Sequence, residues 1–353
     1  LSRANMRDIM LMHANLQGAI LERANLQGAI IEGANLREIS LATADLQGAN
    51  LQDANLQEVI LMHADLQGAS LSGGNLQSAN LMYADLQGVY LRRANLEWAL
   101  LGAANLRGAH LQWANLELAN LEDSNLQGAD LQEANMQWAN MQRANLQDAY
   151  LRGANLQSAN FFEANLQGVN LWEADLQEII LYYANLQRAI LSDANLREAD
   201  LSGANLQGAN YIIWAELRGA NFSRANLQGL NLWRVNLQET NFEGAYLQGI
   251  YLGEANLGRA NLQRTTFNGA NLRGAILRYT NLQEADLLNA TLAVANLSGA
   301  DFTSVRGLDT VQFVNPATGA RAWAWADNPP IGLDDQIAAG LIELRERVPI
   351  SIP

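Results

Sequence analysis

The chain has 353 residues, 49% of them hydrophobic, with 28 Gly, 5 Pro and no Cys, and its 36 acidic against 22 basic residues leave a net charge of −14. Without Cys there is no disulfide framework, thiolate metal site, iron–sulfur ligation or cysteine nucleophile; every basic residue is Arg, which removes Schiff-base chemistry and a phosphate-loop lysine. The acidic balance argues against direct binding of nucleic acid or anionic membrane surfaces, and no apolar run of membrane-spanning length and no basic-then-apolar leader is present, so the expectation is no membrane insertion and a cytoplasmic location.

From Leu1 to Tyr211 a large apolar residue recurs at every fifth position, as at Leu16, Leu21, Leu26, Ile31, Leu36 and Leu41. Two positions before each stands a small residue, such as Ala14, Ala19, Ala24 or Ala29, and the unit reads Ala-(Asn/Asp)-Leu-x-x. The phase slips by one residue across 211–216, then resumes from Leu217 to Phe302. Neither the helical nor the strand period fits. Two inward residues separated by outward ones describe a straight side and a corner. In Leu16-Gln17-Gly18-Ala19 the Gly falls at the third turn position, where a type II turn needs positive φ. Four corners close a square coil of about 20 residues, stacked at roughly 4.8 Å, so 1–302 predicts on the order of 15 coils and a rod of about 70 Å.

On these residues the chain resembles the pentapeptide repeat proteins, over 1–302. The resemblance implies an all-β, right-handed quadrilateral β-helix and, as generally in that family, no enzymatic activity. One branch, the fluoroquinolone-resistance proteins, resembles B-DNA in shape and charge and binds DNA gyrase. Long members with Asn-Leu-Gln-Gly-Ala units are typical of cyanobacteria.

The units alternate. Centres at 6, 16, 26 and onward are preceded by Asn or Asp up to Asn205 and mostly followed by Gln; the short polar side chain is suited to bond the neighbouring backbone in a turn. Centres at 1, 11, 21 and onward are freer, and half a coil separates the two freer sides. Ile39, Val59, Val169, Ile179 and Thr240 stand at small-residue sites and are expected to deform the square locally. Residues one coil apart stack, which brings Met62 over Met82, His63 over Tyr83 and Phe162 over Tyr182. The opposite free side carries Trp113 and Trp172, and a regular side carries Trp98 and Trp138. These outward residues stabilise the face as cross-strand pairs do, or they form a protein-interaction surface. The slip adds Ile212 and Trp214 to the candidates, with Tyr211 and Ile213, as a cluster over a bulge.

Residues 117–200 hold 13 acidic residues against 4 Arg, whereas 201–302 hold 7 of each. Glu122, Glu163 and Asp200 fall on one side, Glu133, Glu173 and Asp193 on another, and Glu117, Glu178 and Glu198 on a third, with Asp123 next to Glu122 a further acidic candidate. DNA spanning four coils carries on the order of 12 charges, so this stretch is either a mimic of DNA or solubilising charge on a Leu-filled rod.

After Phe302 the pattern changes. A β-hairpin is predicted over about 311–325 and an α-helix over about 334–347, with Leu333, Ile337, Leu341 and Leu344 on one face, and Arg345, Arg347 and Pro349 at its end. This segment, 303–353, caps the last coil or pairs two copies as a homodimer. No matching cap precedes Leu1, which lies inside a repeat, so the natural chain begins upstream or that end stacks on something.

His13, His63 and His110 lie on different coils without metal-ligand spacing, and the carboxylates lie on a convex exterior without a cleft to desolvate an acid. No cofactor is expected. The reading is a non-enzymatic structural or protein-interaction scaffold with a protein partner. The alternatives are a DNA mimic that binds a type II topoisomerase and a rod that assembles end to end.

Overall fold

A computed structural model describes residues 1–209, 212 and 214–346. Asn210, Tyr211, Ile213 and residues 347–353 lie outside the described residues, so the predicted roles of Tyr211, Ile213, Arg347 and Pro349 do too. The chain divides into two compact units, Leu1–Ile190 and Leu191–Pro353. Both are β-helix solenoids, nearly all-β and almost without helix.

In unit 1 parallel single-residue bridges join positions 20 apart, from Asn5–Asn25 to Asn170–Ile190. Bridges fall every five residues, so each coil has four sides. The backbone explains the ladder: Leu26 N donates to the Asp45 carbonyl at 2.7 Å, and Asn25 N to the Ala4 carbonyl at 2.9 Å. Between bridges the chain turns. Ala49 N donates to the Leu46 carbonyl at 3.0 Å, with Gly48 at φ 63° as the third turn position requires. Large residues hold the same left-handed position elsewhere, among them Tyr83, Trp98, Trp113 and Trp138 at φ 58–60°.

The core is two kinds of column. Central residues such as Leu26, Leu66 and Leu126 are fully buried, as are Ala29, Ala69 and Ala129 three positions later. Burying each Leu contributes roughly 1.5–3 kcal/mol before conformational entropy. The enlarged sites deform the square only slightly. The turn bond to the residue three before is 3.4 Å at Ile39 and 3.5 Å at Thr240, but 3.1–3.2 Å at Val59, Val169 and Ile179, against about 3.0 Å at most Ala sites. The Thr240 hydroxyl is satisfied, donating to the Leu237 carbonyl at 2.7 Å.

Unit 2 begins with a longer coil. Asn195–Glu216, Asp200–Asn221 and Asn205–Asn226 are bridges of 21 residues, and the spacing returns to 20 from Asn221–Asn241 to Asp286–Arg306. Ala209 and Ile212 are both buried, so the extra residue falls between them. The last coil is wider still: Thr291 pairs with Gln312, Asn296 with Trp323 and Asp301 with Ile331. The additional residues make a turn closed by Asn315 N to the Ala320 carbonyl, beside the antiparallel Val314–Arg321 bridge. Strand β1 (Ala322–Trp325) follows, then helix α1 (Asp334–Ala338) and strand β2 (Ile342–Arg345), which runs parallel to β1.

The helix predicted over 334–347 is therefore corrected to a single short turn. Gly340 at φ 69° is the reason: Gly340 N donates to the Ile337 carbonyl and Leu341 N to the Gln336 carbonyl, the pair of bonds that ends a helix at a glycine. The predicted apolar face is divided accordingly. Leu333 is fully buried and Ile337 half-buried, whereas Leu341 and Leu344 are 38% and 42% exposed. Ile342 packs inward in their place.

Candidate functional site

The Asn and Asp residues of the regular sides are structural. In unit 1 the Asn115 Oδ1 accepts from Glu117 N at 3.2 Å, closing a turn, and from the Asn135 amide at 3.1 Å. The Asn115 amide donates to Asn95 Oδ1 at 3.2 Å. Asp175, and Asp130 on a freer side, work the same way, each accepting a backbone N–H two residues on and a glutamine amide at 2.6 Å. Their charge is spent on holding turns.

The aromatic candidates stand on the outside. His63 stacks on Tyr83 at 5.0 Å, and Phe162 lies 5.7 Å from Tyr182, which meets Tyr183 at 4.1 Å. Met62, Met82, Phe162 and Tyr182 are half-buried, because each is flanked by a neighbour one coil away; Trp98 and Trp138 are exposed. On the opposite free side Tyr90 stacks on His110 at 4.8 Å. The Arg92 guanidinium lies 4.5 Å from the ring of Trp113, with Arg93 at 5.8 Å, and Arg152 lies 4.2 Å from Trp172. Arg92, Trp113, Asp130, Glu133 and Arg152 line one shallow groove of about 400 Å³. The arginine partners are not among the sequence candidates, although Arg93–Trp113 and Arg152–Trp172 are one coil apart; only the closer Arg92–Trp113 contact, 21 positions apart, lies off the vertical.

In unit 2 Ile212 is corrected from a surface candidate to a core residue, 3% exposed. The longer coil turns it inward at the position a central Leu holds elsewhere. Trp214 is 79% exposed at φ 65°, and with Trp233 and Arg234 it lines an apolar groove of about 280 Å³. Arg234 covers Trp233 at 3.9 Å.

The acidic candidates are partly neutralised. Arg143 Nε donates to Asp123 Oδ1 at 2.8 Å, and its Nη2 to Glu122. That hydrogen bond holds the Asp123 carboxyl below the usual aspartate range, and the two carboxylates raise the already high Arg143 value. Glu173 pairs with Arg152 at 3.0 Å, and Glu117 accepts the Asn135 amide at 3.2 Å. Glu133, Glu163 and Glu178 are exposed in unit 1, Asp193 and Glu198 in unit 2. Among the described residues no group of three His, Asp or Glu is placed to hold a metal, and no helix is long and apolar enough to cross a membrane.

No match is found among the curated proteins. Among solved structures the chain is similar to HetL, a pentapeptide repeat protein involved in heterocyst differentiation regulation from the cyanobacterium Nostoc sp. strain PCC 7120, at 32% identity over 67% of this chain and 89% of that one, with a TM-score of 0.22. It is also similar to a pentapeptide repeat protein from the Arabidopsis thaliana thylakoid lumen, at 28% identity over 28% of this chain and 68% of that one (TM-score 0.28). QnrB1, a plasmid-mediated fluoroquinolone resistance protein, matches at 15% identity over 66% of this chain and 88% of that one (TM-score 0.27). The family described as pentapeptide repeats matches residues 1–28, 25–62, 60–97, 104–143, 144–181, 179–210, 215–253, 240–278, 255–292 and 277–306. With its five-residue unit, its four-sided coil and these matches, the chain belongs to the pentapeptide repeat family.

Proposed function

We propose that this protein is a non-enzymatic scaffold, coiled with the right hand that the family resemblance implies, and that it grips a protein partner through arginine-stacked tryptophans. The observation that supports this is Trp113. It sits exposed at a left-handed corner where glycine is the least strained residue, and two arginines border its ring. Many non-glycine residues hold these corners, so what singles Trp113 out is its exposed ring between two arginines, and Trp and Arg are the types that dominate binding hot spots. Tyr90, Tyr150 and Trp172 extend the same side of unit 1. The Phe162–Tyr182 pair on the opposite free side is a second, purely aromatic grip.

The test is capture of partners from a lysate of the source by the immobilised chain, compared with Trp113→Ala. Loss of about tenfold in capture is expected for a hot-spot aromatic; equal capture by the two proteins would remove Trp113 from the account. The DNA-mimic alternative is read from a supercoiling assay with a type II topoisomerase. It requires inhibition by the chain that is abolished by reversing Glu133, Glu163 and Glu178.

A further inference from the structure

Against the net charge of −14, one side of unit 2 is locally cationic. Arg218, Gln238, Gly258 and Arg278 form a vertical column, each on the coil above the last, and Glu239, Arg259 and Tyr279 form the column beside it. Elsewhere on this kind of side the column position is filled by a long side chain, such as Gln137, Gln157 or Gln177. At Gly258 nothing fills it. The result is a recess of about 520 Å³, within the ordinary size of a ligand pocket, with Gly258 buried on its floor and Gln238, Arg259, Arg278 and Asn256 around it.

The charges around the recess are unequally satisfied. Arg218 is committed to Glu239, through Nη2 at 3.0 Å. Arg259 reaches the other oxygen of Glu239 only at 3.8 Å. Arg278 lies 5.5 Å from the Tyr279 ring, and its Nε is buried with no hydrogen-bond partner among the described residues. A buried donor without an acceptor is unfavourable, and guanidinium donors are built for bidentate contact with an oxyanion. Three arginines and one glutamate leave two positive charges, which match a doubly charged oxyanion better than a carboxylate.

We propose that the recess over Gly258 is a binding site for a phosphate-class oxyanion, held by Arg278 and Arg259. Arg278 supplies its Nη edge, Arg259 the second fork and Gly258 the space, and the buried Nε–H of Arg278 reports the contact. The backbone N–H of Gly258 is already committed to Asn256 Oδ1 at 3.1 Å, so recognition is through side chains.

The experiment follows the Arg278 Nε–H resonance of the full chain by ¹H–¹⁵N NMR during titration with inorganic phosphate. A saturable shift, with acetate at least about tenfold weaker, is expected for charge-assisted contacts to a dianion. Arg259→Gln and Gly258→Gln, which both keep the Arg278 probe, are each expected to weaken phosphate about tenfold or more, the second by filling the recess with the side chain that the repeat carries elsewhere. Gly258 has ordinary negative-φ backbone, and a Cβ there lies 3.3 Å from Asn256 Oδ1, a tight contact that asks the Asn256 side chain to give by a few tenths of an ångström, so circular dichroism checks that the variant keeps the fold. Tighter binding of phosphoserine than of inorganic phosphate assigns the site to a phosphoryl group carried on a larger molecule, and the reverse to the free ion. No shift at concentrations on the order of 10 mM, or an undiminished shift in Gly258→Gln, overturns the proposal.

Discussion

The Asn35 amide donates to Asn15 Oδ1 at 3.1 Å, one coil away, while Asn35 Oδ1 accepts from Arg37 N at 3.3 Å within its own turn. One side chain thus ties a corner shut and ties two coils together. Asn115 repeats the arrangement, with partners Asn95, Asn135 and Glu117. Asn115→Ala is expected to remove all three bonds, at a cost of about 1–3 kcal/mol. In a solenoid the loss stays local, so hydrogen exchange should quicken at Glu117 N and its neighbours and remain unchanged three coils away. Uniform quickening along unit 1 would contradict the nearest-neighbour picture.

The corners offer a cleaner test of backbone strain. Gly108 has φ 63°, and a Cβ there meets nothing within 4 Å, so Gly108→Ala changes conformation cost without adding a clash. The expected loss is about 1–2 kcal/mol. Ala103 occupies the same kind of position at φ 54°, and Ala103→Gly should gain, by somewhat less because the unfolded chain gains freedom too. Urea denaturation of both variants reads the two signs. Equal signs would mean that the corner is not what sets the preference.

The Arg143–Asp123 pair carries a pH signature. Its hydrogen bond lowers the Asp123 pKa in the folded state, so the stabilisation is present above the unfolded value of about 3.9 and is lost as pH falls through the lower folded value. Arg143→Ala should move the Asp123 midpoint upward toward the ordinary range in a ¹³C-carboxyl NMR titration. Salt should narrow the difference because the pair is exposed. An unchanged midpoint would show that the contact is not populated in solution.

The C-terminal segment distinguishes two packings of the same sequence. One continuous apolar helix face would make Leu333, Leu341 and Leu344 equally sensitive. The observed break at Gly340 makes them unequal, since Leu333 is buried and Leu341 is not. Leu333→Asp should unseat the last coil of unit 2 and lower its thermal midpoint, whereas Leu341→Asp should fall within about 0.5 kcal/mol of the parent, as surface substitutions do. Comparable effects at the two positions would restore the continuous helix.

What could be read from sequence was whatever repeats. The five-residue unit, the inward Leu and Ala, the glycine corners and the Asn turns recur so often that each copy supports the others. Single events are harder. Ile212 is offered as part of an apolar cluster over the bulge, but its burial makes it a core residue. The helix beyond Asp334 has the right spacing, yet Gly340 is a stop signal that outweighs the apolar period. The Arg92–Trp113 stack and the recess at Gly258 depend on which side chain stands one coil away. The recess is legible in retrospect as the long residue missing between Gln238 and Arg278 in their column.

The sides of unit 1 recur every 20 residues while the chain repeats every five, and this mismatch governs how such a protein can lengthen. Copying a full turn inserts a new storey and leaves every column above it in place. Copying a single five-residue unit rotates all that follows by a quarter revolution, carrying Trp113 out of line with Arg92 and onto a neighbouring wall. The hydrophobic interior accepts either event, because all four walls present the same Leu and Ala to it. Growth is therefore unconstrained from within and quantised from without: the surface pattern survives only in whole storeys, and shorter duplications become a means of dealing the same side chains onto new faces.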